Sequence, residues 1–261
     1  MNFKKIHEIT TKFIKEKVEG ANAEGVIIGL SGGIDSAVTA KLCVDAIGNM
    51  RVFAIIMPTK VTPECDISDA AKFAKELGIK YKIMNISKIL DSFLEDLNEI
   101  ESTTGNKTAI GNLMARTRMC LIYYHANLSN RIVAGTGNRS ELLCGYFTKF
   151  GDGGCDFLPI GNLYKTEVKK LAEYIEIPEE IINKTPSAGL RKGQSDEEDL
   201  GISYKLLDKI LIELVDKKTG CSKISEKLKI DNDEVKRIEK LIKNSEHKRY
   251  MPEICVIERN C

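Results

Sequence analysis

A short polar run that follows an apolar stretch carries the residue types most suited to phosphate chemistry in this chain. Residues 26–30 have the apolar pattern of a strand, residues 31–36 read Ser-Gly-Gly-Ile-Asp-Ser, and residues 37–44 have a helical pattern. A strand that breaks at paired glycines and resumes as a helix directs backbone N–H groups and the helix dipole at one point. The glycines also let a phosphate approach the backbone closely. The run therefore predicts an anion site, the alternative being a glycine-rich turn whose serine and aspartate side chains cap the helix.

The chemistry of this predicted site differs from that of a Walker loop. The Walker pattern requires a lysine after its last glycine, and residues 31–36 contain none. They offer instead the hydroxyls of Ser31 and Ser36 and the carboxylate of Asp35. A carboxylate beside phosphates is favourable when a divalent cation lies between them. The run thus predicts a phosphate site with Asp35 as a cation ligand.

A second polar and glycine-rich stretch lies further along the chain. Thr136 follows the end of a predicted strand, where contact with a nucleotide is expected. Glu141 is a candidate to share the cation with the first carboxylate, since Mg²⁺ takes few carboxylates beside phosphate oxygens and water. Lys149 and Lys165 offer positive charge to phosphates. Taken singly, each has a plainer interpretation: Glu141 as an acidic residue at a helix N-terminus, and the lysines as surface charges.

The residues around these two clusters predict the elements that must position them. Apolar periodicity and Pro and Gly signals predict helices over 2–19, 35–47, 62–78, 87–99 and 109–126, and strands over 25–30, 51–57, 80–85 and 131–135. Strands that alternate with helices indicate an α/β fold with a Rossmann-like, doubly wound parallel sheet flanked by helices. Ligands of such sheets bind beyond the carboxyl ends of the strands, where the strand order reverses. Because both clusters follow strands, we expect them to converge at that edge.

A loop and a helical region complete the predicted organisation. Residues 183–194 (NKTPSAGLRKGQ) contain Pro and two Gly without periodicity, which predicts a mobile loop. Ser195 and Glu198 have the spacing of a capping box that opens a helix. A loop between fixed ends has the organisation of a lid over a ligand, the alternative being an ordinary surface connection. Residues 196–246 are rich in Lys and Glu and are predicted to be helical, with a solvated charged face.

The bulk composition narrows the class of protein. The 261 residues suffice for one α/β domain, so a single domain over 1–261 is predicted. A formal net charge of +1 provides no general attraction to nucleic acid. The N-terminal pattern lacks the apolar core of a signal peptide, and no stretch is long enough to span a membrane. A cytoplasmic protein is therefore expected.

The eight cysteines contain no Cys-x-x-Cys pair, which argues against a zinc knuckle or a redox motif. Cys43 and Cys120 fall at apolar positions of predicted helices and are expected to be small buried side chains. Cys261 is expected to be exposed. The spacing identifies no cysteine as a nucleophile.

Further motifs make a family resemblance specific. The run at 31–36 resembles the pyrophosphate-binding loop of the ATP pyrophosphatase superfamily, whose members cleave ATP to AMP and pyrophosphate while adenylating a substrate. The chain as a whole resembles the NAD synthetases through runs in the same order: SGGIDS (31–36), NLMARTRM (112–119), GTGNRSELLCGYFTKFGDGGCDFLPIGNLYKTEV (135–168), TPSAGLRKGQSDEEDLGISY (185–204) and EHKR (246–249). The resemblance implies an adenine nucleotide alpha hydrolase-like fold and the ATP-dependent amidation of deamido-NAD through an acyl adenylate, the final step of NAD biosynthesis.

The resemblance also implies the residues of the site. ATP would bind the loop and three later residues: Gly29, Leu30, Ser31, Gly32, Gly33, Ile34, Asp35, Ser36, Thr136, Lys165 and Ser187. Deamido-NAD would contact Arg116, Lys149, Asp156, His247 and Lys248. Asp35 and Glu141 would hold Mg²⁺, and together with Lys165 they are the implied catalytic residues.

The resemblance implies an obligate homodimer with the dinucleotide site at the interface. The helix predicted over 109–126 supports this weakly, because Arg116 and Arg118 interrupt its apolar stripe. The alternative is that both arginines are surface charges on a core helix.

The expected nitrogen donor is free ammonia, or ammonia from a separate partner. Glutamine-dependent enzymes carry an amidase domain with a nucleophilic cysteine, for which 261 residues leave no room. Two rival functions remain open. Another ATP pyrophosphatase, such as a GMP synthetase-like module or a tRNA-thiolating enzyme, would share the loop. A nucleotide sensor on the same fold would bind ATP without needing paired carboxylates.

Overall fold

The computed structural model describes residues 1–96, 106–191 and 193–257. Its strands are β1 (Gly25–Gly29), β2 (Val52–Ile56), β3 (Lys80–Ile83) and β4 (Arg131–Ala134). Its helices are α1 (Phe3–Gly20), α2 (Ile34–Ile47), α3 (Glu64–Glu76), α4 (Ser87–Asp96), α5 (Asn106–Leu128), α6 (Arg139–Cys144), α7 (Lys165–Tyr174), α8 (Glu179–Ile182), α9 (Asp196–Leu200), α10 (Tyr204–Leu211), α11 (Cys221–Leu228) and α12 (Asn232–Asn244). A π-helical turn follows α10 at Ile212–Asp216, and a 3₁₀ turn follows α12 at Glu246–Lys248. The predicted helix over 87–99 forms as α4, and its residues 97–99 lie outside the described residues.

The four strands form one parallel sheet in the order β3-β2-β1-β4, which confirms the predicted doubly wound α/β fold. In the central strand, Val26 pairs with Val52 of β2 on one side and with Ile132 of β4 on the other. The chain moves from β1 outward to β2 and β3, and then returns to place β4 on the opposite side. The strand order therefore reverses at β1, and the loop that follows β1 lies at this switch point.

Alternate residues of the central strand supply the cores on both faces of the sheet, as period-2 geometry requires. Val26 and Ile28 are fully buried in a cluster that contains residues of α1, α2 and α7. Ile27 is also fully buried, in a second cluster that includes Leu90 of α4 and Met114 of α5. Helices therefore cover both faces and leave the carboxyl edge of the sheet as the place for a site.

The region predicted to be helical over 196–246 forms α9 to α12 and has a core of its own. Leu207, Ile210 and Leu211 are fully buried there, together with Cys144 at the end of α6. The Lys and Glu residues that dominate this sequence cover the outside of that core. Cys144 packs the end of α6 into this core, and α6 is one of the helices that reach the switch point.

The prediction that Cys120 is buried is wrong, whereas Cys43 is buried as expected. Cys120 lies on α5 in an exposed stripe with Arg116 and Tyr124, each four residues away along the helix. The helix packs on the sheet with its opposite side, so an apolar sequence position here faces outward. Arg118 lies nearer the packed side and is half-buried, so the surface alternative holds for Arg116 and not for Arg118.

The predicted helix after the 183–194 loop begins at Asp196, but the predicted capping box is not formed. The Ser195 side chain makes no capping hydrogen bond. Backbone groups satisfy the helix start instead: the Asp196 N–H donates to the Pro186 carbonyl at 3.0 Å, and the Asp199 N–H donates to the Ser195 carbonyl at 3.1 Å. Cys261 lies outside the described residues. Within the described ranges, no helix combines the length and apolarity needed to cross a bilayer.

Candidate active site

The segment from Gly29 to Ser36 joins the central strand to α2 at the switch point. The Leu30 N–H still donates to the Ile55 carbonyl of β2, at 2.9 Å. The chain then turns at Gly32, whose φ of +81° lies in the region that favours glycine. The loop thus leaves the sheet at its carboxyl edge and delivers the N-terminus of α2 to the same point.

The two serines of this loop brace it internally. The Ser36 hydroxyl donates to the Gly33 carbonyl at 2.9 Å and accepts from the Ser31 N–H at 3.2 Å, while the two hydroxyl oxygens lie 3.1 Å apart. The N-cap of α2 is Gly33, and no side chain caps the helix. The cap alternative is therefore wrong. In the described part of the chain, the first-turn N–H groups of α2 keep their hydrogen-bonding capacity for an anion.

The predicted phosphate site, residues 31–36 (the phosphate loop), rests directly on the start of α3. A Cβ built on Gly32 would lie 2.5 Å from the carbonyl oxygen of Asp66, which is closer than real Cβ contacts. Position 32 therefore requires glycine for two reasons, the positive φ and the close backbone neighbour. A larger residue at position 32 would lose stability from the strained φ alone, and its contact with the Asp66 carbonyl would also displace the loop.

We expect Gly32→Ala to weaken ATP binding by at least about 10-fold, because overpacking of about 1–3 kcal/mol pushes the loop off α3. Gly48→Ala is the matched control. Gly48 has a φ of +82° and a ψ of 153° with nothing within 4 Å of its Cβ position, so this variant carries the backbone strain alone, about 1–3 kcal/mol. ATP titration and urea unfolding of both variants provide the test. Equal losses of ATP affinity in the two would contradict the proposed role of the close contact.

Lys165 joins the two carboxylates that the sequence nominated as cation ligands. Its Nζ forms an ion pair with Asp35 of α2 and lies 3.5 Å from Oε1 of Glu141 on α6. The three side chains are 8%, 17% and 15% exposed, for Lys165, Asp35 and Glu141 respectively. Residues from three separate helices therefore meet at the phosphate loop, which confirms the predicted convergence of the two clusters.

The electrostatics of this cluster are tightly coupled. Burial raises the pKa of the Glu141 carboxyl to about 8, with a further increase from the Asp35 charge and a decrease from Lys165. Burial disfavours the protonated form of Lys165, but the neighbouring carboxylates outweigh it and raise the pKa of Lys165 above its ordinary value. Lys165 therefore stays charged, and additional positive charge beside the two carboxylates would favour the ionised form of Glu141.

Asn138 is a site residue that the sequence reasoning missed. It is fully buried, and its Nδ2 donates to Oδ1 of Asp35 at 3.0 Å. Its side-chain oxygen accepts from the Glu141 N–H, and the Glu141 carboxylate accepts from the Asn138 N–H, both at 3.1 Å. This reciprocal arrangement is a capping box, and the spacing Asn138-x-x-Glu141 is the signal that identifies it. One asparagine thus orients both carboxylates.

A second set of polar residues holds the start of α7, on which Lys165 lies. The Lys165 N–H donates to the Ser140 hydroxyl at 2.9 Å, and that hydroxyl donates to Asp208 at 2.5 Å. The other oxygen of Asp208 accepts from the Thr166 N–H at 2.8 Å. The Lys165 ammonium also lies 5.1 Å from the centre of the Tyr204 ring. Asp208 and Tyr204 come from α10, so local sequence contains no signal for these contacts.

The donor set of the cluster suits Mg²⁺. The carboxylates of Asp35 and Glu141 are hard oxygen ligands. Across residues 1–96, 106–191 and 193–257, no group of three or more His, Cys, Asp or Glu side chains could hold a metal. An ion at Asp35 and Glu141 would therefore complete its shell with phosphate oxygens and water, as Mg²⁺ does at nucleotide sites.

Four of the five residues implied for deamido-NAD form a connected group beside the middle of α5. An Arg116 Nη donates to the Lys149 carbonyl at 3.3 Å, and the Lys149 Nζ donates to the His247 carbonyl at 2.6 Å. The Lys248 Nζ donates to the carbonyl of Phe147 at 2.9 Å. The His247 side chain is exposed. Backbone contacts therefore order this basic group.

The fifth residue, Asp156, makes a different set of contacts. Its carboxylate accepts from the Tyr123 hydroxyl at 3.0 Å and from the Val133 N–H of β4 at 2.7 Å. Asp156 thus attaches the segment at 156–157 to β4 and to α5, and Phe157 extends the sheet edge by pairing with Ala134.

The loop over residues 183–194 is attached at both ends. Lys184 donates to Asp66 at 2.9 Å and to Asp69 at 2.5 Å, both on α3. Near the other end, a Cβ built on Gly111 of α5 would lie 3.3 Å from a methyl carbon of Leu190. The loop therefore bridges α3 and α5, the two helices that flank the phosphate loop, which supports the lid interpretation.

Two hydroxyl residues implied for ATP lie in different settings. Thr136 is half-buried and follows β4 directly, at the carboxyl edge. Ser187 is exposed in the 183–194 loop, and its hydroxyl accepts from the Gly189 N–H at 3.2 Å. Ser187 forms no hydrogen bond to the phosphate loop within the described residues, and its contact with ATP stays a prediction.

The chain is similar to known proteins over nearly its whole length. The family model for NAD synthase matches residues 6–252. A curated relative, the NH(3)-dependent NAD(+) synthetase of Archaeoglobus fulgidus, is 51% identical over 255 residues, covering 97% of each chain. Two solved structures each cover 98% of this chain and 100% of their own: an NMN synthetase from Francisella tularensis (TM-score 0.86, 33% identity) and an NH3-dependent NAD synthetase from Campylobacter jejuni (TM-score 0.80, 37% identity). With a match of this extent and identity, the chain belongs to the NAD synthase family.

Proposed function

We propose that the protein is a carbon–nitrogen ligase that amidates deamido-NAD to NAD with free ammonia, the final step of NAD biosynthesis. ATP drives the reaction, and AMP and pyrophosphate are the other products. The observation that carries the proposal is the Asp35–Lys165–Glu141 cluster at the phosphate loop, in a chain that the NAD synthase family model matches over residues 6–252.

The chemical problem is the low reactivity of a carboxylate, whose charge repels nucleophiles and which lacks a good leaving group. Transfer of AMP from ATP to the carboxylate of deamido-NAD gives an acyl adenylate and releases pyrophosphate. Ammonia then attacks the acyl carbon and loses a proton, the bond to the AMP oxygen breaks, and the amide remains. Two demands follow for the protein: to stabilise departing pyrophosphate, and to protect the adenylate from water.

The residues at the switch point meet the first demand. The first-turn N–H groups of α2 and the Lys165 ammonium stabilise charge that develops on pyrophosphate. Mg²⁺ held by Asp35 and Glu141 supplies further positive charge to the phosphate oxygens. ATP contacts extend over Gly29, Leu30, Ser31, Gly32, Gly33, Ile34, Asp35, Ser36, Thr136, Lys165 and Ser187.

The second demand falls to the lid, residues 183–194. Its attachment to Asp66 and Asp69 of α3 and to Gly111 of α5, the helices on either side of the phosphate loop, supports this role. A closed cover excludes water, which would otherwise hydrolyse the adenylate. Deamido-NAD binds at the basic group through Arg116, Lys149, His247 and Lys248, with Asp156 at the sheet edge as the fifth expected contact.

Free ammonia as the nitrogen donor is supported by the relatives. The Archaeoglobus fulgidus relative is named as NH(3)-dependent, and this chain covers 97% of its length. No residue of the cluster stands out as a general base: orientation and charge neutralisation favour attack by neutral ammonia, and the proton that the nitrogen loses leaves with AMP or enters the solvent.

A second candidate substrate is favoured by one observation. The solved structure with a TM-score of 0.86 is an NMN synthetase, and it is 33% identical to this chain. The same amidation chemistry applied to the nicotinate mononucleotide would give NMN. The mononucleotide lacks the adenylate half of deamido-NAD, so it would make fewer contacts with the basic group.

We also propose that a second copy of the chain covers one exposed apolar face. Ile83 of β3, Phe93 of α4, and Tyr124 and Leu128 of α5 are 48%, 46%, 59% and 67% exposed. Clusters of exposed apolar side chains mark protein interfaces. A homodimer would bury this face beside the Arg116 group. Sedimentation equilibrium should give twice the chain mass, and a monomer at micromolar concentration would reject the homodimer.

The expected cytoplasmic location of the protein stays a prediction.

Product analysis tests the proposed function. The protein is incubated with ATP, Mg²⁺ and ammonium, with deamido-NAD, with the nicotinate mononucleotide, or with neither. NAD, AMP and pyrophosphate should appear together when deamido-NAD is present. NMN formed faster than NAD would favour the second candidate. AMP and pyrophosphate without either amide would reject both substrates, and bound ATP without cleavage would indicate a nucleotide sensor.

His247→Ala is expected to raise the KM for deamido-NAD by about 3- to 10-fold, the effect of one lost hydrogen bond. The KM for ATP should change less than twofold, because His247 lies with the basic group and not at the phosphate loop. Steady-state kinetics with each substrate varied in turn provide the measurement. His7→Ala, in the N-terminal helix, is the control. Equal increases in both KM values would contradict the assignment of His247 to the dinucleotide.

A further inference from the structure

Arg118 lies at the switch point, although neither polar cluster contains it. The direction of α5 establishes this position. Ile122 lies against Gly29 at the carboxyl end of β1, since a Cβ on Gly29 would be 3.2 Å from its terminal methyl. Asn130, just beyond α5, accepts a hydrogen bond of 2.7 Å from Glu24 at the amino end of β1. The helix therefore runs antiparallel to the strands, and Arg118, one turn before Ile122, lies about 6 Å beyond the carboxyl edge.

The lid bounds the same space from the other side. Gly111, on which Leu190 of the lid rests, precedes Arg118 by seven residues, which is nearly two full turns and the same helix face. About 10 Å of helix axis separates the two positions. Arg118 therefore lies between the carboxyl edge of the sheet and the lid.

The guanidinium of Arg118 is sparsely bonded. Its Nε–H donates to the carbonyl of Met57, which directly follows β2, at 3.3 Å. An arginine has five N–H donors, and this is the one hydrogen bond that the described residues provide. By contrast, the half-buried Arg249 donates four hydrogen bonds and Arg237 donates three. Most of the donor capacity of Arg118 is therefore unused.

The charge of Arg118 is also poorly compensated. Burial lowers the pKa of its guanidinium, and the carboxylate of Asp152 opposes this effect through space. In the described part of the chain, no carboxylate forms an ion pair with it. A half-buried cation that forms no ion pair within the described residues gains free energy from a bound anion.

We propose that Arg118 binds a substrate oxyanion at the reaction centre, either the phosphoryl group of ATP next to the adenosine or the carboxylate to which that group is transferred. Both anions present two oxygens to the planar guanidinium, which suits bidentate binding. The phosphate loop at the end of β1 holds the remaining phosphates, and Met57 ends the neighbouring strand. Arg118 thus holds the reacting groups where they meet. This inference rests on the proposed function.

Calorimetric titrations with AMP, deamido-NAD and pyrophosphate test the proposal on wild type, Arg118→Met and Arg118→Lys. Arg118→Met should weaken AMP or deamido-NAD by at least about 10-fold, the loss of a charged hydrogen bond, and change pyrophosphate less than about twofold. Arg118→Lys keeps the positive charge but not the two parallel N–H donors of the guanidinium, so its loss of affinity should be intermediate. Arg51→Met is the matched control, because the Arg51 guanidinium also donates to backbone carbonyls, of Glu24 and Ala23, but at the amino edge. It should leave all three affinities unchanged.

The outcomes separate cleanly. A loss confined to AMP assigns the phosphoryl group, and a loss confined to deamido-NAD assigns the carboxylate. A folded Arg118→Met variant that binds both as tightly as wild type overturns the proposal, as does an equal loss for pyrophosphate. If Arg118→Met fails to fold, Arg118→Lys decides, and wild-type affinities in that variant overturn the proposal. NAD formation by wild type, measured in parallel, tests the proposed function separately.

Discussion

Asp35→Asn is expected to lower the rate of pyrophosphate release by about 100- to 1000-fold, the usual cost of one preorganised electrostatic group. The amide keeps the shape of the side chain and accepts the hydrogen bond from Asn138, so the phosphate loop should retain its conformation. What disappears is the charge that pairs with Lys165 and that would hold Mg²⁺. The affinity for ATP should therefore lose its dependence on Mg²⁺, which is measured by titrating ATP with and without the ion.

Asp45→Asn is the matched control, because Asp45 lies on the same helix and pairs with Lys41 and His7 near the surface. Surface ion pairs contribute about 0–1 kcal/mol, so this variant should keep its activity and its Mg²⁺ dependence. An Asp35→Asn enzyme with most of its turnover and an unchanged response to Mg²⁺ would show that the cation site lies elsewhere.

Lys165→Met is expected to reduce both stability and activity. The change leaves the carboxylates of Asp35 and Glu141 facing each other without the ammonium between them. Removing one partner of a largely buried ion pair costs about 3 kcal/mol, and pyrophosphate release should fall by about 100-fold or more. Urea unfolding and the pyrophosphate assay measure the two effects. Lys169→Met, at an exposed position of the same helix, should change neither.

The pH dependence of this variant has a definite sign. The folded-state pKa of Glu141 is already raised to about 8 by burial and the Asp35 charge, and removal of Lys165 takes away an opposing effect. An unfolded glutamate has a pKa of about 4.3. A raised carboxyl pKa gives stability that is present below the unfolded value and is lost as pH rises toward the folded value. Wild type and Lys165→Met should therefore lose stability in parallel up to about pH 8, where the wild-type carboxyl ionises, whereas the variant keeps losing stability above that pH. The thermal midpoint of Lys165→Met should fall relative to wild type above about pH 8, and a constant difference there would contradict the coupling.

Much of the fold was predictable because it depends on local pattern. The four strands and the helices between them follow from apolar periodicity and from Pro and Gly signals. The failures have a common physical cause. Cys120 is exposed although its position is apolar, because the side of a helix that packs depends on where the sheet lies. Ser195 does not cap α9, because the backbone of Pro186 reaches that helix start.

The sequence by itself determined the turn from β1 into α2 on which the proposed phosphate site rests, since a strand, two glycines and a helix N-terminus lie within 12 residues and need no distant partner. Through its motifs it also indicated the family. The tertiary structure decided what surrounds that loop. Lys165 reaches Asp35 across 130 positions of sequence and Asn138 reaches it across 103. Arg118 lies beyond the carboxyl edge of the sheet because α5 packs antiparallel to β1. Such contacts depend on how whole elements pack against each other, so the local sequence around one residue does not predict its distant partner.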